Sequence, residues 1–364
     1  MADQLDELTD DEDFKNFALF VTFPRRRIRV VRQRPDHFEM WGDFEFLERF
    51  RLSKNTVRFI VDKLRNVITS PTNWNNAVSA EQKVLLTLRY YATGSLIRAT
   101  SEFSGIHNSA GSRIIRLVSR RLALLRPEFV GFPEGKKEIA KVRQDFFNIA
   151  KVPGCIGSVD GSWVKIQSPG GNDAEVNRSR KGFFALKVMA ICDAELKFEN
   201  IVCRWPGRAD DSTIFEHSTI RGKFEANLMG NHLLVGDSGY TPTNYLLTPL
   251  REPVTEDERN YNESLIRTHV CIERAFGVWK RRFPVLATGI NVEITTVECI
   301  VVATVVLHNI ARHFGDQIPR VTRDLEDLIN LTNVDPTDND EIPHNYNVNR
   351  PLRQTEIINS FSSM

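Results

Sequence analysis

The chain has 364 residues, enough for one large domain with a smaller companion or for two of moderate size, and its 41% hydrophobic content is ordinary for a soluble globular protein. Forty-eight Lys and Arg against 47 Asp and Glu leave a formal net charge of +1, so overall charge does not point to a nucleic-acid partner. Five scattered cysteines without a C-x-x-C pair argue against a disulfide scaffold and for reduced core residues of an intracellular protein; no N-terminal apolar segment and no uninterrupted apolar run of spanning length argue against secretion or membrane insertion.

Charge is unevenly distributed. Asp3, Asp6, Glu7, Asp10, Asp11, Glu12 and Asp13 form an acidic tip, followed by the basic run Arg25, Arg26, Arg27, Arg29, Arg32 and Arg34. Residues 1–40 therefore read as an arm, the basic run serving equally well as a nuclear-import signal or a DNA contact.

Residues 41–150 are patterned as helices. Val57, Ile60, Val61 and Leu64 share one helical face, as do Val84, Leu85, Leu88 and Tyr91 in a second helix closed by Gly94. A short helix at 97–103, a Ser104-Gly105-Ile106 turn and a longer helix N-capped by Ser109 follow in helix-turn-helix order. On that last helix Arg113, Arg116 and Arg120 share a face roughly opposite Ile114, Leu117, Val118 and Leu122, so the apolar side can dock while the arginines meet phosphates. An ordinary bundle helix with solvated arginines is the competing reading.

From about residue 151 the period becomes strand-like. Strands are expected at 155–166, 184–192 and 198–205, then a helix at 212–227, a strand at 232–236, an extended piece at 245–247, and helices at 262–282 and 294–313. Three strands followed by alternation with helices predict a mixed sheet flanked by helices over 151–314, preceded by the all-α helix-turn-helix-containing region. The remainder, 315–364, is polar and rich in Asp, Asn and Pro, and is expected to be a largely irregular tail with one amphipathic turn at 325–331.

Three acids stand out against this background. Asp160 ends the alternation of Ile156 and Ser158, with Gly161 behind it; Asp237 ends that of Leu233 and Val235; and Glu273 shares a helical sector with His269, Phe276 and Lys280. A carboxylate at the end of an apolar strand calls for a cation, a basic partner or water. Parallel neighbouring strands would bring Asp160 and Asp237 to one sheet edge, where Mg²⁺ or Mn²⁺ held by few carboxylates could serve an in-line phosphodiester displacement on an RNase H-like sheet. Lys280, Arg281 and Arg282 would then hold substrate phosphates. Taken singly, each acid also reads as a turn former or a surface ion-pair partner.

Four ordered segments, VDGSWVKI, CRWPGRADDSTIF, VGDSGY and RTHVCIERAFGVWKRRF, together resemble the Harbinger (PIF) transposase superfamily, specifically the Harbinger transposase-derived nucleases, over about residues 52–314. The resemblance implies a DDE endonuclease acting on DNA by a two-metal route, with Asp160, Asp237 and Glu273 as its acidic triad and Asp211 as a further metal acid. Asp210 stands where the family often has His, leaving open which of Asp210 and Asp211 faces the metal, and Asp210-Asp211-Ser212 equally makes a good helix start. It also implies nuclear localisation, with the cytoplasm a second location, DNA contact by the loop Arg178, Arg180 and Lys181, and a separate Myb-like DNA-binding partner. An oligomer is compatible with it. Two alternatives stand beside the nuclease: an active transposase of a Harbinger element, and a domesticated non-cleaving DNA-binding or scaffold protein.

Overall fold

Helix caps written into the sequence set the first half of the fold. The computed structural model describes residues 34–70, 76–171, 174–333 and 350–361, so nearly all of the expected arm lies outside the described residues. Helices α1 (His37–Met40) and α2 (Asp43–Phe50) lead into α3 (Lys54–Ile68) and α4 (Ala80–Thr93). Ser53 caps α3, and Ser79 with Gln82 forms a reciprocal capping box at the start of α4. Gly94 closes α4 with φ 60°, a left-handed turn that a side chain would strain.

Then come α5 (Ile97–Phe103), α6 (Asn108–Ala123), α7 (Arg126–Phe129) and α8 (Lys136–Ala150). The expected cap of α6 is displaced: His107, not Ser109, is the N-cap, its Nδ1 accepting the Ser109 N–H at 3.3 Å. The His side chain ends the turn before Ser109 can do so.

The sheet forms around β1 (Cys155–Lys165), buried along its length except at Asp160 and Lys165. Strands β2 (Ala185–Cys192) and β3 (Phe198–Pro206) extend it on one side as an antiparallel meander; β4 (Leu233–Val235) and β5 (Leu246–Leu247) extend it on the other as parallel strands, giving the order β3-β2-β1-β4-β5. This is a five-stranded mixed sheet flanked by helices, consistent with the expected RNase H-like architecture. Burial on both faces explains why the central strands read as nearly continuous apolar runs.

Between β3 and β4 the single expected helix is two, α9 (Asp211–Glu216) and α10 (Thr219–Glu225), because the Ser218 hydroxyl caps a new start by accepting the Arg221 N–H at 3.3 Å. After β5, α11 (Glu256–Arg282) runs 27 residues and begins six positions earlier than expected, at a Thr255–Glu258 capping box. Short α12 (Val285–Thr288) turns the chain into α13 (Ile294–His313). By length and mean hydropathy α13 could cross a membrane, but 72% of its apolar stretch is buried, packed against α6 and β3 as a core helix.

The C-terminal stretch departs from its expected irregularity. Residues Arg323–Asn333 (α14) and Leu352–Phe361 (α15) are helices that bury Ile329, Thr332, Gln354, Ile357 and Ile358. A few apolar residues at helical spacing suffice because α11 supplies a preformed surface for both. The described residues from Pro35 onward form one compact unit, and one apolar cluster runs from Phe46 in α2 through Val188 in β2 to Ile358 in α15. The expected division at 150/151 is thus no break in packing.

His308 on α13 tests this core. Its Nε2 lies 2.8 Å from the Leu196 carbonyl and donates to it, while Nδ1 is buried without a hydrogen-bond partner; burial pushes the imidazole down to about 3. Because the folded value lies below the unfolded value of 6.5, the unfolded chain binds more protons below pH 6.5, and stability falls as the pH drops through that window. At pH 5 this group alone removes about 2 kcal/mol. H308Q should flatten the fall in denaturant midpoint between pH 7 and pH 5; a slope equal to the wild type's would refute the assignment.

Candidate active site

Regular pairing of β1 with β2 fixes which way each β1 side chain leaves the sheet. Asp160 pairs with Ala190 and Ser162 with Val188 on one face; Gly161 pairs with Met189 and Trp163 with Lys187 on the other. The first face packs against α11, since Lys280 donates to Ser162 Oγ at 2.7 Å. The second packs against α9 and α10, whose Ile214, Phe215, Ile220 and Phe224 cluster with Val159, Met189 and Ile191.

Strand β4 runs parallel to β1 with Val235 beside Ser158 and ends there, and Asp237, two residues further along, lies near enough to Asp160 to raise its carboxyl. Val235 belongs to the α11-side core, and continued alternation aims Asp237 to that side. Asp237 Oδ1 accepts the Gly239 N–H at 3.1 Å, which steadies the turn.

On α11, His269 and Glu273 stand one turn apart, with Nδ1 3.6 Å from Oε1. His269 is buried whereas the Glu273 side chain is 60% exposed at the rim. Burial opposes charge on His269 most strongly, but the carboxylates of Glu273, Asp160 and Asp237 outweigh it and raise the imidazole to about 9. His269 in turn holds Glu273 below the usual carboxylate range. Desolvation pushes Asp160 well up, reinforced by Asp237 and Asp211 and opposed by His269 and Lys187; its Oδ1 accepts the Gly161 N–H at 2.6 Å. His269 therefore bridges Glu273 electrostatically to the two aspartates.

Asp211 opens α9 and comes in on the opposite face. Its Oδ2 lies 2.9 Å from Lys187 Nζ, the two side chains being 13% and 1% exposed. Asp210 points away to an exposed ion pair with Arg180, so of the two it is Asp211 that turns toward Asp160. Gly161 makes room for it: a Cβ there would come 1.7 Å from Asp211 Oδ1. Tyr240 is also buried here, its hydroxyl without a hydrogen-bond partner and its ionisation pushed well up by burial and by Asp211, Asp160 and Asp237.

The donor set suits a hard divalent ion, being carboxylate oxygens at the end of a sheet. Two further observations agree: neighbouring acids raise the Asp160 carboxyl, and the buried Tyr240 hydroxyl and His269 Nε2 face this region without hydrogen-bond partners. In this arrangement, among the described residues, no three His, Cys, Asp or Glu side chains stand close enough together to hold a metal ion.

The expected DNA contacts divide. Arg113, Arg116 and Arg120 are exposed on α6, while Ile114, Ile115, Val118 and Leu122 are buried, as the helical pattern implied. Arg178 pairs with Glu175 at 2.8 Å, Arg180 with Asp210, and Lys181 donates to the Leu331 carbonyl at 2.8 Å. Lys280 cannot reach DNA: it is fully buried and donates to Ser162, Trp163, Thr332 and Asn333. Arg281 pairs with Glu326, and buried Arg282 donates to the carbonyls of Arg51 at 2.8 Å and Asp316 at 3.1 Å. Lys280 and Arg282 thus lie on the packed side of α11 and their charges hold the fold together, whereas Arg281 keeps 41% of its side chain exposed beside Glu326. Conversely, sequence reasoning missed Lys187 and Tyr240; a lone lysine within ALKVMAIC, a wholly apolar setting, was the available signal.

Residues 159–309, which contain the acids and nearly all of the sheet, match the family described as DDE superfamily endonuclease. The match covers that sheet and helices that flank it, somewhat under half of the chain. It is 29% identical to "Putative nuclease HARBI1" of Homo sapiens and 28% identical to that of Bos taurus, each over 75% of this chain and 79% of the relative. It is also 21% identical to "Protein ALP1-like" of Arabidopsis thaliana over 64% of this chain and 62% of the relative. These relatives bear out the resemblance to the Harbinger transposase-derived nucleases. No solved structure gives a significant match.

The close approach at Gly161 yields a direct expectation. G161A should force Asp211 out of its position, lowering stability by on the order of 1–3 kcal/mol, as overpacking does. A denaturant midpoint unchanged from wild type would show that the contact yields without cost.

Proposed function

We propose that the chain is a divalent-metal-dependent endonuclease, derived from a Harbinger-type transposase, that hydrolyses DNA phosphodiesters in the nucleus. The observation that supports this reading is on the α11 side of the sheet: Asp160 and Asp237 both lie close enough to His269 to favour its charged form, and Glu273 stands one turn along α11 from that histidine. Asp160, Asp237 and Glu273 would hold Mg²⁺ or Mn²⁺. When bound, such ions supply an activated water and stabilise charge on the leaving oxygen; two of them fit the route expected for the family.

The protein's own groups prepare the site. The Gly161 N–H fixes one Asp160 oxygen, the Gly239 N–H fixes one Asp237 oxygen, and His269 orients Glu273 while offsetting part of the local negative charge. His269 can carry a proton at Nδ1 facing Glu273 Oε1.

DNA is assigned to the exposed arginine face of α6, following the tight turn from α5, and to the Arg178–Lys181 loop beside the sheet. A Myb-like protein that supplies sequence recognition belongs to the same proposal. The purified chain with Mn²⁺ should nick DNA, and D160N and E273Q should each lower the rate by at least about 100-fold while still binding DNA. Equal cleavage by all three proteins would overturn the assignment. Charge reversal in R113E/R116E should weaken DNA binding and reduce its salt dependence by about two counterions; unchanged affinity would leave α6 a packing element only.

The separation of the acids favours a second reading, a domesticated DNA-binding protein that does not cut, since no ready-made triple of ligands stands among the described residues. Absence of cleavage by the wild type over a range of Mn²⁺ concentrations, with DNA binding intact, would select it. A living element would instead be recognised by terminal inverted repeats flanking its gene.

A further inference from the structure

The family resemblance groups Asp211 with the metal acids, but the strand alternation places it elsewhere. Asp160 and Ser162 leave β1 toward α11; Gly161 and Trp163 leave it toward α9. Asp211 lies over Gly161, on the side away from His269 and Glu273. There it meets Lys187, the register partner of Trp163, at 2.9 Å, and the Lys187 ammonium also sits 4.5 Å from the centre of the Trp163 ring.

Both members are well shielded, and an ion pair taken out of water is held tightly because separating it leaves a buried charge uncompensated. A divalent ion would have to displace the lysine to reach the oxygen that the lysine holds. That carboxylate also presses on Gly161, a position in β1 that has no side chain, directly behind the peptide that anchors Asp160 Oδ1.

We propose that Lys187 is a positioning residue, a cation supplied by the protein itself, which takes Asp211 as its partner on the far face of β1, keeps it out of the metal shell and uses it to brace the Asp160–Gly161 backbone. The metal ligands are then Asp160, Asp237 and Glu273 alone. This inference rests on the metal-dependent reading only for its consequence in metal binding.

Calorimetric titration of the full chain with Mn²⁺, without DNA, tests it. The D211N chain should bind as many Mn²⁺ ions as the wild type, its affinity weakened by about 10- to 100-fold at most, as for a residue that acts through a ligand. The D160N chain should bind fewer. Loss of a bound ion in D211N would overturn the proposal, because it would make Asp211 a ligand.

Thermal melting of K187M, D211N and the double variant, all without metal, provides a measurement independent of Mn²⁺. The double variant should melt well above the value expected from adding the two single losses, since removing both charges leaves neither stranded. Additive losses would overturn the pairing. If K187M alone does not fold, recovery of a cooperative melt in K187M/D211N supports the pairing, and failure to recover one counts against it. A wild type that binds no Mn²⁺ would overturn the metal reading, and the melting cycle would then decide the Lys187–Asp211 pair by itself.

Discussion

Asp160 and Gly161 are neighbours in a strand that is buried on both faces, and the two-residue repeat of an extended chain sends them to opposite sides of the sheet. Almost everything about the site depends on this. Toward α11 the repeat projects a carboxylate to where β4 has already ended and Asp237 arrives from the next strand; toward α9 it leaves a gap that only another residue's side chain can occupy. Strand β1 is central, with an antiparallel neighbour on one side and a parallel one on the other, so neither projection can shift without breaking a ladder.

Charge is the second constraint. Acids gathered at a poorly hydrated sheet end repel each other and lose solvation, so each must be offset by a cation or by hydrogen-bond donors. The protein answers differently on the two faces. His269 stands among Asp160, Asp237 and Glu273 as a group whose charge those acids sustain, whereas Lys187 is fixed to Asp211 by a short contact in a nearly closed environment. One face thus keeps an acid at the exposed rim and the other is sealed. Lys280 and Arg282 follow a third pattern: their charges are spent on carbonyls and hydroxyls that tie α11 to β1, α14 and the start of the helical half.

These ties explain why the helical half and the sheet form a single unit. Helix α13 gives one side to β3 and another to α6, and Arg282 reaches back to the carbonyl of Arg51. A helix docked this firmly by Ile114, Val118 and Leu122 has little freedom to rotate, so the Arg113, Arg116 and Arg120 face keeps a fixed direction relative to the rest of the compact unit. Rigid presentation of a basic face suits contact with a regular array of phosphates.

Much of this was legible in the residues. Apolar alternation around Cys155, Phe184 and Phe198 foretold the meander, and the 3.6-residue period foretold α3, α4, α6 and α13, because each of these signals is local and repeats along the chain; Asp160, expected at a strand end, lies instead in the middle of β1. The helices at 323–333 and 352–361 were hidden, since their stability comes from α11 and not from their own polar sequence. The fate of the basic run at 280–282 was hidden for a related reason: a lysine on a helix reads the same whether its face meets solvent or a sheet, and only the packing of α11 on β1 buried it. So too with Asp211 and Lys187, 24 residues apart in sequence and joined only when α9 folds across Gly161. The sequence by itself determined which stretches form strands and helices and which acids lie in or beside them; the tertiary structure decided which cation each acid meets, because charge pairing depends on distances between elements that no periodicity encodes.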